Sequence, residues 1–282
     1  AWPKYAASLW DATRDEGFYC MSFAPCTVAF LSGNVPVRIE VETCYPFERT
    51  VKISVSTAQP KKFPIRVRVP AWTNGVLGAL VNDEEYEGGI KGDYLEINRV
   101  WQSGDQVTLV FPMEARVTRW SRRSAAVEYG PLLMAMPIRA EEKCVREDPD
   151  APDYEVRPKT PWNFALVADG KLEAMPAKRE RCFGKGSGPA VAAQAVELPE
   201  WKKRGANCAP TPVEPLLEKS YTRALCLVPY GDTVLHIAQF PYAALKQDLG
   251  VDPNRLADAD KTAQQTETHI KKIASDDKTN RS

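Results

Sequence analysis

The side chains that could carry chemistry are few. Two histidines, His236 and His269, serve 282 residues. His236 sits in "TVLHIAQF" among apolar neighbours, which reads as a residue on the polar face of a strand, and His269 falls in a polar terminal stretch. No G-x-S-x-G occurs, so no Ser-His-Asp arrangement presents itself. Paired carboxylates are what glycoside hydrolysis needs, one as acid and one as base or nucleophile. The pairs on offer are Glu84 with Glu85, Asp93 with Glu96, and Glu114 with Glu128. All fall at turns or on outward strand positions, where solvated charge is the default. Seven cysteines, at 20, 26, 44, 144, 182, 208 and 226, are odd in number and scattered, with no C-x-x-C. They read as small buried hydrophobes rather than a metal site or a dense disulfide framework, and they favour a reducing, cytoplasmic setting.

Three further stretches invite a binding role. "GKGSG" from Gly184 lacks the G-K-[ST] ending and the following helix of a phosphate cradle, so it reads as a linker. Arg116, Arg119, Arg122 and Arg123 surround Trp120, a basic strip with an aromatic in its midst. Lysine plus arginine and aspartate plus glutamate both total 37, so the chain lacks the basic excess of a nucleic-acid partner, and the strip reads as a domain boundary. Trp72, Trp101 and Trp162 are candidate sugar-stacking platforms, although the first two end strands, where a large ring is more often buried. The search leaves no catalytic residue, no cofactor-binding residue and no metal ligand assigned.

What would position such residues is sheet. In "VPVRIEVET", Val35, Val37, Ile39 and Val41 alternate with Pro36, Arg38, Glu40 and Glu42. After Tyr45-Pro46-Phe47-Glu48, Val51, Ile53 and Val55 resume the alternation. Period two predicts half-buried strands around a turn. "FPIRVRVPAW" repeats the pattern between Pro64 and Pro70, and "GALVND" turns at Asn82-Asp83. "DYLEINRVW" and "QVTLVFPMEARV" read as a hairpin through Gln102-Ser103-Gly104-Asp105, with Leu95, Ile97, Val107, Leu109 and Phe111 facing one core. No βαβ alternation appears. The fold class expected is all-β: two antiparallel β-sandwich domains, a short N-terminal helix and a polar tail.

Residues 1–15 are expected to be helical, with Tyr5, Leu9 and Trp10 on one face. The first sandwich is placed at 16–118 and the second at 119–242, its last strands free to return to the first. Within the second, 141–163 reads as a long charged loop, and "FALVADGKLEAMP" as a hairpin with Asp169-Gly170 at its turn. "AVAAQAVELPEW" reads as a strand and "CAPTPVEP" as a proline linker. The tail, 243–282, has too few apolar anchors for its own core, with a helix in view near 255–274. No apolar run approaches the roughly 18 residues that span a bilayer, so no membrane partner is expected. The chain also lacks an initiator Met and enters in mid-pattern, which reads as a fragment.

The order of these segments resembles a known family. "EGFYCMSFAPCTVAF", "VRIEVETCYPFERTVKISV", "FPIRVRVPAW", "GDYLEINRVWQSGDQVTLVFPMEARV", "VEYGPLLMAM", "DYEVRPKTPWNFAL" and "LVPYGDTVLHIAQFP" follow one another as in glycoside hydrolase family 127, the β-L-arabinofuranosidase family. The resemblance covers about residues 10–241; its most specific parts are "YEVRPKTPWNFAL" and "LVPYGDTVLHIAQFP". It implies an (α/α)₆ barrel ahead of two β-sandwiches, with a zinc-bound cysteine nucleophile and a carboxylate acid/base in that barrel. None of the barrel's motifs is present here, so no catalytic residue or zinc ligand carries over, and Cys20 and Cys26 are not substitutes. The resemblance therefore implies a non-catalytic C-terminal portion, inactive alone, whose partner is the barrel in cis or in trans. Zinc is expected in that barrel only. The alternative is a free-standing carbohydrate-binding or interaction module using Trp72, Trp101 or Trp162.

Overall fold

A computed structural model of the chain describes residues 2–176, 188–205, 207–213, 215, 217 and 221–245. Cys182, His269, most of "GKGSG" and the helix looked for near 255–274 lie outside the described residues. The described regular elements are strands apart from one short N-terminal α-helix and a few single-turn 3₁₀ segments. It divides into two compact units, one built mainly from residues up to Ala115, the other mainly from Arg116 onward.

In the first unit a helix, α1 (Trp2–Ala7), is followed by β1 (Trp10–Ala12), β2 (Phe18–Cys20), β3 (Cys26–Ser32), β4 (Val35–Thr43), β5 (Thr50–Thr57), β6 (Lys61–Arg68), β7 (Gly78–Val81), β8 (Glu84–Glu85), β9 (Ile90–Lys91), β10 (Tyr94–Trp101) and β11 (Gln106–Val110). They form a five-stranded sheet, β1-β2-β6-β10-β9, and a six-stranded sheet, β3-β4-β5-β11-β7-β8. Alternation decides which side of each sheet is buried. Along β4, Val35, Val37, Ile39 and Val41 are buried while the residues between them are exposed. Val51, Ile53 and Val55 of β5 are fully buried beside them. Each such side chain stabilises the fold by roughly 1.5–3 kcal/mol. Turn chemistry fixes the register. Gly33, at φ 59, opens the two-residue turn that pairs Ser32 with Val35, and Asn82 and Asp83 both take positive φ between β7 and β8.

Two expectations need correction here. The segment 94–111 is not a hairpin: β10 pairs with β6 and β9, whereas β11 pairs with β5 and β7. Its turn carries the chain from one sheet to the other. Leu95, Ile97, Val107, Leu109 and Phe111 still share one core, because alternation selects a face and not a neighbour. The helix also stops at Ala7 instead of running through residue 15. Trp10 enters a strand, pairs with Cys20 and is 4% exposed, whereas no α1 residue is buried. Burying that indole favours the strand over another helical turn. Gly17 permits the return, since a Cβ there would lie 2.6 Å from the Pro64 carbonyl oxygen.

The second unit contains β12 (Ala115–Trp120), β13 (Ser124–Tyr129), β14 (Leu132–Pro137), β15 (Ala140–Arg146), β16 (Asp153–Pro158), β17 (Phe164–Val167), β18 (Leu172–Met175), β19 (Ala190–Glu197), β20 (Lys203–Arg204), β21 (Asn207–Cys208), β22 (Thr222–Pro229), β23 (His236–Ile237) and β24 (Phe240–Ala243). Its main sheet runs β12-β13-β24-β17-β19-β22-β14-β23. All four residues of β17 are buried, as a strand between two neighbours and covered on both faces requires. β2 with β6 and β17 with β24 pair parallel, as does the isolated bridge between Leu217 and Leu245.

Here too the pairing differs from expectation. Asp169, at φ 58, and Gly170 do make a turn, with the Gly170 N–H donating to the Val167 carbonyl. It does not make a hairpin: β17 and β18 both pair with β19, an eight-residue strand long enough to take them in succession. The expected loop 141–163 contains a true hairpin, β15 with β16, paired from Ala140↔Pro158 to Arg146↔Asp153 with a bulge between Cys144 and Arg146.

Candidate functional site

The carboxylates considered for catalysis are dispersed. Glu84 and Glu85 form an exposed two-residue edge strand. Asp93 and Glu114 are exposed, and Glu128 is held by Arg116, whose Nη2 lies 2.7 Å from its Oε2. His236 is half-buried, its Nδ1 2.7 Å from the Thr233 hydroxyl and its ring edge-on to Tyr230. The tryptophans divide. Trp101 is fully buried and donates its indole N–H to the Phe63 carbonyl at 2.9 Å, so it offers no ring to a sugar. Trp72 is half-buried, its Nε1 3.3 Å from the Tyr45 hydroxyl, beside Phe111. Trp162 packs edge-on against Trp201. In the basic strip, Trp120 is exposed, and Arg122 and Arg123 adopt left-handed backbone.

Cys20 and Cys26 are not poised for chemistry, and Cys144, Cys208 and Cys226 are exposed, where buried hydrophobes were expected. Burial pushes the Cys20 thiol far up and raises that of Cys26 as well, so both stay protonated and poorly nucleophilic. Cys44 is disulfide-bonded, which the reading of all seven as buried hydrophobes did not anticipate. Near it, an open cleft of about 570 Å³ is lined by Pro25, Cys26, Glu40, Glu42, Glu48 and Lys52, among others. Glu42 lies directly across from Lys52 in the β4–β5 ladder. Among the described residues no group of three His, Cys, Asp or Glu is placed to hold a metal ion.

The most highly organised polar cluster is one that sequence reasoning missed. It lies on the outer side of the five-stranded sheet, centred on Arg66 of β6. The guanidinium forks onto Asp15, with Nη1 3.1 Å from Oδ1 and Nη2 2.5 Å from Oδ2. Its Nε donates to Glu96 at 2.7 Å, and Lys91 reaches the same carboxylate at 3.0 Å. The Thr13 hydroxyl also bonds Asp15. The Arg66 fork, with Thr13 second, holds the Asp15 carboxyl well below the usual carboxylate range. Lys91, then Arg66, lowers Glu96, and the two carboxylates raise Arg66 in turn. Carboxylates held ionised in this way are poor general acids. Tyr19 and Tyr94 complete the face: their rings are 4.8 Å apart, and Arg66 lies 5.3 Å over Tyr19. Tyrosine and arginine are the side chains that protein interfaces favour. Partners 30 and 51 residues apart in the chain leave no local signal; the one hint is Arg66 and Arg68 on the polar side of β6.

Sheets of this order and these core positions can be compared with known proteins. Residues 17–113 match the family model "Beta-L-arabinofuranosidase, GH127 middle domain". This stretch is thus similar to a GH127 middle domain. It contains β2 to β11, the cleft and, of the Arg66 face, all but Thr13 and Asp15. Among solved structures, the chain is similar to a GH127 beta-L-arabinofuranosidase from Geobacillus stearothermophilus T6, at 22% identity and a TM-score of 0.59 over 86% of this chain. It is also similar to a second GH127 beta-arabinofuranosidase, at 18% identity and a TM-score of 0.56 over 82% of this chain. A structure described as a glycoside hydrolase aligns over 81% of this chain at 22% identity, with a TM-score of 0.56. The chain spans 35%, 35% and 36% of those three proteins. No curated protein matches it.

Proposed function

We propose that this chain is the non-catalytic C-terminal portion of a β-L-arabinofuranosidase-like glycoside hydrolase, supporting an (α/α)₆ barrel supplied in cis or in trans. The match of residues 17–113 to the middle domain carries this reading. In it, the nucleophile, the acid/base and the zinc belong to the barrel. The contact we assign to the barrel is the Arg66 face. Its charges are already fixed by Asp15, Glu96 and Lys91, so docking there orders few new side chains.

Reconstitution tests this. A GH127-type barrel lacking its sandwiches, mixed with the chain, is expected to form a complex and gain turnover on an aryl β-L-arabinofuranoside. Arg66→Ala is expected to weaken the complex. A barrel that neither binds the chain nor gains activity would contradict the reading. Heat released on titrating the chain with arabinan oligosaccharides, lost in Trp72→Ala or Trp162→Ala, would favour the carbohydrate-binding alternative.

A further inference from the structure

Sheet edges in this chain are mostly short or charged. In the first unit, β8 ends the six-stranded sheet as two glutamates, β9 is Ile90–Lys91, and β1 has three residues including Asp11. In the second unit, β12 carries Arg116 and Arg119, and β23 has two residues. Shortness and charge are how proteins keep free edges from pairing with other chains. Among the described residues β3 is the exception. It ends the six-stranded sheet with seven residues, CTVAFLS, that include neither a charge nor a proline.

The turn at Gly33 determines which backbone groups that edge presents. A two-residue turn makes Ser32 and Val35 a hydrogen-bonded pair. Alternation then directs the amides and carbonyls of Phe30, Val28 and Cys26 to β4, and those of Leu31, Ala29 and Thr27 outward. The outward residues are also those with exposed side chains, and Leu31 is 65% exposed. Val28 and Phe30, on the core side, are only partly buried.

We propose that β3 pairs antiparallel with β3 of a second copy of this chain, about a two-fold axis at Ala29. In that register Thr27 faces the partner copy's Leu31 and Ala29 faces itself, so the three outward residues of each copy exchange hydrogen bonds. Val28 meets Phe30 on the core side and completes its burial, and Leu31 is covered by Thr27. β3 itself carries no charge; Arg38 and Glu40 sit one strand in, on β4, and Glu16, which lies against Ser32 and Gly33 at the end of β3, is paired with Lys61. The two copies of Arg38 would be three strand spacings apart, about 14 Å, beyond the screening length of roughly 8 Å at physiological salt. One seven-residue ladder is small beside the roughly 1,200 Å² of a stable interface, so the dimer is weak and concentration-dependent.

Sedimentation and residue-resolved amide exchange on the 282-residue chain, from low micromolar to about 1 mM, test this. A monomer–dimer equilibrium is expected. Amides of Thr27, Ala29 and Leu31 should gain protection with concentration, while those of Val28 and Phe30 stay protected throughout. Ala29→Pro removes an outward N–H, and Leu31→Lys places a charge on the edge. Each should weaken dimerisation about tenfold or more, while Thr108→Glu on an interior strand leaves it unchanged. If Ala29→Pro fails to fold, Leu31→Lys and the alternating exchange pattern still decide. A chain that stays monomeric at about 1 mM would overturn the proposal. So would a dimer indifferent to both edge variants, or odd-position amides already protected in dilute monomer by another segment.

Discussion

Two hairpins of this molecule have the same ladder and opposite surroundings. β4 and β5 pair from Val37↔Thr57 to Thr43↔Val51, and every second side chain is buried in the core. β15 and β16 pair over a similar length, yet every residue of β15 after Ala140 is exposed. What joins the second pair laterally is charge: Arg146 to Asp153 at 2.8 Å, Lys159 to Glu141 at 3.8 Å, and Lys143 opposite Glu155. Both hairpins satisfy their backbone groups, so hydrogen bonding does not distinguish them. Burial does. The first is part of what makes the unit cooperative; the second can open alone.

The sharpest way to break this comparison is in the core. Ile39→Ala or Ile53→Ala removes a fully buried side chain and should cost about 2–5 kcal/mol, read as a lowered urea midpoint at unchanged slope. An intermediate effect belongs to the Arg66 face. Asp15 has a depressed folded value, so its pairing stabilises the fold above the unfolded value near 3.9 and is lost as pH falls through the folded one. Asp15 is half-exposed, which limits the effect to about 1 kcal/mol. Arg66→Ala should therefore be less stable than the wild type at pH 6, and the difference should shrink below about pH 4. The smallest effect is expected at Arg146→Ala, whose ion pair is exposed on both sides. Its stability should stay within about 0.5 kcal/mol of wild type, with faster exchange confined to β15 and β16.

The same contrast explains what could be read from the residues alone. Apolar alternation reports burial, and so β4, β5, β6 and the shared core of β10 and β11 were legible, as was the turn at Asn82-Asp83. Which strands are neighbours was not. Leu95 and Val107 face one core from two different sheets, and Asp169-Gly170 turns the chain without folding it back on itself. The β15–β16 hairpin has no apolar face and therefore resembled a loop. Trp10 left the helical pattern because a sheet could bury it. At the candidate site, the fate of Trp101 followed from its size and position, but the Arg66 cluster joins Thr13, Asp15, Lys91 and Glu96 through tertiary structure only.

The central claim is that this chain supplies ordered sheet to a reaction centre held elsewhere. Its most direct test is turnover of an aryl β-L-arabinofuranoside by the purified 282-residue chain, with zinc and reductant present and no other protein. The account predicts a rate indistinguishable from buffer. Zinc-dependent hydrolysis by the chain alone, lost when one of its own cysteines or carboxylates is replaced, would contradict it.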